Sequence, residues 1–208
     1  MSARKSLYDF PQSSYIAFPL LTSLGYLFSI PILVALSAPS GIAAKFLTPL
    51  LAVALRKVSH GATTLEDSPQ KAIVLLTGFY VVLVHIFSGI MSATGQLLGN
   101  ETGYKNKEPR ANKRGISTGL PHRMIATHEA LYDIFPAYAV TAALVAVSLT
   151  SKSSTVPING LVLHVFFKIV VYSPAYLFDA DIVRSYSHLC SILALLLPCG
   201  VLWQSSSL

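Results

Sequence analysis

Apolar residues fall along this chain in long blocks rather than with a period of two or of 3.6. The blocks cover about residues 15–36, 41–58 with Lys45 and Pro49 inside, 72–98 broken only by His85, 124–149, 156–178 and 185–203. A helix needs about 20 apolar residues to cross a bilayer. A strand in hydrocarbon leaves backbone groups unpaired unless a barrel closes, and these blocks are about twice as long as a barrel strand. The pattern predicts an all-α integral membrane protein, multi-pass, of at most five or six spans. Block 41–58 either spans or lies in the interface. Block 15–36 follows Arg4 and Lys5, and Ala35-Leu36-Ser37 resembles a cleavage site. It exceeds the 7–15 residues of a signal-peptide core, which predicts an uncleaved helix.

Composition narrows the class. Of 208 residues, 53% are hydrophobic and 12% charged, against about 25% charged in a soluble domain. Disorder is excluded, because disordered segments are polar. With 12 Gly, 12 Pro and 2 Cys, so are collagen-like and disulfide-rich classes. Cys190 and Cys199 lie nine apart in an apolar block, a spacing that suits neither a redox pair nor zinc. The formal charge of +6 does not require nucleic acid, because the cations occupy the gaps between blocks. The longest gap, 101–123, carries Lys105, Lys107, Arg110, Lys113, Arg114 and Arg123 against Glu101 and Glu108, which predicts a cytoplasmic loop. Membrane lipids are the expected surroundings.

Two hydrophilic rows interrupt the apolar blocks. Residues 123–136 open the fourth block with Arg123, His128, Glu129, Tyr132 and Asp133 ahead of Phe135-Pro136. A charge at the bilayer centre costs about 2.5–3.5 kcal/mol on insertion scales, so these groups need an interface, a wet cavity or a partner. Glu129 and Asp133, four apart, share a face and repel unless a cation joins them. His128-Glu129 does not begin a zinc HExxH motif, because position 132 is Tyr, and no metal site is expected. His85 alone suggests a packed side chain. In the fifth block His164, Lys168, Tyr172 and Tyr176 recur every fourth residue. A four-residue step drifts only about 40° around a helix, so they form one slanted stripe that should face a helix or a cleft. Arg184 follows Asp179 and Asp181, two acids more in keeping with a nearby arginine than with a metal.

Arg123-x4-His128-x4-Asp133-Ile-Phe135-Pro136 resembles the R-x4-[HQ]-x-N-x-x-E-[NY]-x-P segment of membrane-associated proteins in eicosanoid and glutathione metabolism (MAPEG). Tyr172-x3-Tyr176-x7-Arg184 resembles that family's [RK]-x2-Y-x3-Y-x7-R stretch, and Pro109-Arg110 its N-P-R. The resemblance implies a four-helix transmembrane domain over residues 71–208, with residues 1–70 an extension of one or two hydrophobic helices. It also implies a homotrimer in the endoplasmic reticulum or another internal membrane, binding glutathione as co-substrate between subunits near the cytoplasmic face. Family members act on lipophilic small molecules, conjugating electrophiles or reducing hydroperoxides. By position the resemblance implies Arg184 as the catalytic residue that would stabilise the thiolate. It also implies that Arg123, Tyr172 and Tyr176 would bind the carboxylates and peptide groups, with Lys168 partly standing in for the family's basic residue one position on, and that Asp133 would hold the amine.

Three departures bear on function. Ala130 stands where the family has Asn, Asp133 where it has the longer Glu, and Ile169 where it has the basic residue three before the first Tyr. Two readings follow: a glutathione transferase or peroxidase, and a non-catalytic scaffold or complex subunit on the same fold. A proton- or ion-coupled transporter using Glu129, Asp133, His164 and Lys168 fits less well, for want of an inverted repeat.

Overall fold

The computed structural model describes residues 17–58, 69–101, 103–107, 110–149 and 155–205. Arg4, Lys5, Glu108, Pro109 and the polar residues Gly61, Glu66 and Asp67 lie outside them. Helix is the regular structure of the described residues. α1 is Ala17–Ser37. α2 covers residues 43–58, a π-helical turn at Ala43–Leu47 running into Thr48–Val58. α3 is Pro69–Gly99, α4 Gly119–Ser148, α5 Val156–Leu177 and α6 Asp181–Ser205.

α3, α4, α5 and α6 are each long and apolar enough to cross a membrane, so the protein is an integral, multi-pass membrane protein. α1, with 21 residues, measures about 31 Å at 1.5 Å per residue. α2 is shorter. Its 5 and 11 residues make about 24 Å, less than the roughly 30 Å of hydrocarbon. Ala43 at its start packs with Leu163 and Ala194, while Arg56, Lys57 and Val58 at its end are exposed. Block 41–58 is therefore an inserted helix that falls short of a span. The turn before it is tight: a Cβ on Gly41 would sit 2.3 Å from the Leu36 carbonyl oxygen, so only glycine fits.

α5 occupies the centre. Residues 157–165, Asn159 and His164 among them, are buried without a break, and α1, α2, α3, α4 and α6 all pack against it. The principal core joins Leu76, Val84, Leu131, Val145, Leu161 and Leu195 from four helices, and Leu51 brings α2 into it. The extension thus shares the core of the bundle. A Cβ on Gly160 would lie 2.8 Å from the Pro198 ring, so that glycine sets how closely α5 and α6 approach. Asn159, fully buried, fastens the extension: Thr48 Oγ1 donates to its Oδ1 at 2.6 Å, and its Nδ2 donates to the Ser37 carbonyl at 2.9 Å.

Candidate functional site

The basic loop, the start of α4, the end of α5 and the start of α6 all lie at one end of the bundle. The α5–α6 turn there is a Schellman-type closure. Asp179 takes φ 63°, a left-handed conformation that Asp tolerates better than most residues, and the Ala180 amide donates to the Ala175 carbonyl at 2.8 Å. The turn presents two acids to two arginines. Arg123 Nε donates to the Leu177 carbonyl at 3.0 Å, and Nη1 lies 3.4 Å from Asp179 Oδ2. Arg184 Nη2 lies 3.0 Å from Asp181 Oδ1. Arg123 thereby also satisfies one of the carbonyls left open at a helix C-terminus.

Below the turn the second row forms a ladder. The Arg184 guanidinium stacks 4.6 Å over the Tyr176 ring, Tyr176 meets Tyr172 edge-on at 5.6 Å, and Lys168 Nζ sits 4.1 Å over Tyr172. Lys168 Nζ is 2.6 Å from His188 Nδ1. An ammonium has only donors, so the imidazole nitrogen accepts. A π-helical turn at Phe167–Tyr172 keeps the row aligned. Its i+5 bonding holds more residues per turn, so the step from 168 to 172 offsets the drift of α-helical steps. Arg184 keeps 29% of its side chain exposed, Tyr176 is half-buried, and neither tyrosine hydroxyl is engaged by another described residue. Lys168 is fully buried, behind Tyr172, so any part it takes in binding passes through that ring.

The top of the stripe is sealed. His164 Nδ1 lies 2.9 Å from the Ser191 carbonyl and donates to it, leaving Nε2 to accept from Tyr80 at 3.2 Å. Tyr138 stacks on the imidazole at 5.4 Å. His164 is a core residue.

The first row divides. Arg123 joins the turn, whereas Asp133 faces outward on α4, exposed. Glu129 takes a cation from the loop, with Lys113 Nζ donating at 2.7 Å. The Ser88 hydroxyl donates to the Val84 carbonyl and receives His128 Nδ1 at 2.8 Å. His85 packs edge-on against Tyr132 and Phe135. Ala130 is half-buried, and Ile169 packs against the principal core. Within one protomer, then, Arg123, Tyr172, Tyr176 and Arg184 gather at one end and Asp133 points away. His188 was not singled out by the sequence, although its place four residues after Arg184 on an apolar helix was a usable signal.

A bundle of four helices able to cross a membrane, with two arginines and two tyrosines gathered at its basic end, defines the class: a polytopic membrane protein with a cationic, aromatic cluster at one end. The chain belongs to the MAPEG family, whose model matches residues 73–202. Comparison with curated proteins and with solved structures gave no match.

Proposed function

We propose that this protein is a glutathione-dependent transferase or peroxidase acting on a lipophilic electrophile within the membrane. The observation that carries this reading is the arginine–tyrosine cluster at the α5–α6 turn. Two guanidiniums and two phenol hydroxyls that no other described residue engages suit an anionic tripeptide with carboxylate and amide groups. Arg184, held by Asp181 and the Tyr176 ring, is the thiolate-stabilising group, because the thiolate and not the thiol is the nucleophile. In a conjugation the thiol proton passes to water, a carbon–sulfur bond forms, and the displaced group leaves with the bonding pair. Arg123, Tyr172 and Tyr176 bind the peptide, Lys168 orients Tyr172, and Asp133 of an adjacent subunit in a homotrimer supplies the carboxylate for the amine. The site would face the cytoplasm of an internal membrane.

Conjugation of glutathione to an aryl halide by the detergent-purified protein tests this. Arg184→Ala should lower kcat/KM by about a hundredfold, the scale of losing one donor to a developing anion. Equal rates in wild type and variant would remove Arg184 from the mechanism. A second reading, a non-catalytic subunit on this fold, is favoured by Ala130 and Ile169, which offer no polar atom where the family has one. Absence of both turnover and calorimetric glutathione binding would establish it over the first.

A further inference from the structure

At the opposite end of the bundle from the arginines, a groove of about 540 Å³ runs between α1 and α6. Its inner end is lined by Ile30, Leu33 and Leu193, its outer end by Ser37, Gly200 and Gln204. α1 lies wholly before the residues that the family model matches, so one wall of the groove comes from the N-terminal helix and the other from α6, and none of its lining residues belongs to the arginine cluster. The two helices run the same way, Gly25 lying beside Leu189 and Leu33 packing with Leu189 and Leu193.

We propose that this groove holds one acyl chain of a bilayer phospholipid from the leaflet opposite the basic loop. Three features identify the occupant. From Leu193 to Gln204 the groove follows α6 over a rise of about 16 Å, which matches half of a roughly 30 Å hydrocarbon core, the depth of a single leaflet. Its polarity is graded like a lipid: the inner end is purely aliphatic, whereas Ser37 and Gln204 stand at the outer end. There Trp203, 81% exposed, marks the headgroup level where tryptophan concentrates. The groove is also open along one side and apolar along most of its length, so an extended chain can enter it from the surrounding bilayer. Gly200 lines the α6 wall, and a Cβ there would have nothing within 4 Å, so a large side chain at this position has room to enter the groove.

The test uses the full chain in nanodiscs containing phosphatidylcholine with a photoactivatable diazirine on one acyl chain. With the diazirine near the chain terminus, labels should fall on peptides containing Leu33 and Leu193. With it near the ester, they should move to the peptide containing Gly200 and Gln204. Gly200→Phe, which fills the groove, should reduce both several-fold, whereas Val147→Phe on the lipid-exposed face of α4 should not. Labelling that ignores diazirine depth, or that Gly200→Phe leaves unchanged, overturns the proposal. So does a cross-link from the groove to a second copy of the chain. The depth comparison uses wild-type protein and stands even if Gly200→Phe fails to fold.

Discussion

Removing an ammonium from water costs several kcal/mol even after the surroundings relax, and Lys168 has no carboxylate within ion-pair distance among the described residues. Its stabilising contacts are one imidazole nitrogen and one ring face. Replacing a buried charge by an apolar group of similar volume is often neutral or stabilising, whereas leaving its partner unpaired is not. Lys168→Met alone would leave the His188 nitrogen unpaired, so Lys168→Met combined with His188→Leu should accordingly melt in detergent no lower than wild type. Lys168→Ala leaves a cavity in the α5–α6 contact and should lose about 2–4 kcal/mol, the scale of large-to-small core changes. Thermal unfolding of both variants followed by circular dichroism reads the difference. If Lys168 orients Tyr172, the double variant should also keep its fold while glutathione affinity falls. The residue was visible in the sequence as an intramembrane cation, but its imidazole partner lies twenty positions on and was not.

Among the helices, α5 decides the most, because it touches five others. Its only polar interruption before His164 is Asn159, and both amide groups are used to hold α1 and α2. Hydrogen bonds between membrane helices average about 0.6 kcal/mol each, with some larger. Asn159→Ala removes two of them and strands the Thr48 hydroxyl. It should destabilise the protein by about 1–3 kcal/mol, the desolvation scale of an unsatisfied buried group, while Thr48→Val should cost less. Melting of the purified variants measures both. The helix blocks themselves were legible in the sequence to within a few residues, because block length is a local property. The shortfall of α2 was not. A block of 18 residues is borderline by length, and only the contacts of Ala43 with Leu163 and Ala194 show where it enters.

For the molecule as a whole, the outward charge of Asp133 poses the question of assembly. A carboxylate facing acyl chains is costly, and among the described residues no cation of the same chain pairs with it. A trimer that brings Asp133 of one subunit to the arginine–tyrosine cluster of the next removes both difficulties. With Cys190 and Cys199 replaced by alanine, Asp133→Cys combined with Tyr176→Cys should give two- and three-chain species after treatment of membranes with a short bis-maleimide. A product that remains monomeric under those conditions would count against the shared cleft.

The sequence by itself determined the solvent and the secondary structure: the length of each apolar block dictates helix and membrane, and the four-residue spacing of His164, Lys168, Tyr172 and Tyr176 places them on one side of α5. Which helix each side chain meets was decided by the tertiary structure. It paired Arg123 with Asp179, Lys168 with His188 and Asn159 with Thr48, and it sealed His164 in the core while leaving Tyr176 near the surface. Helical periodicity specifies a direction around an axis but carries no information about the neighbour lying in that direction, which depends on residues tens of positions away.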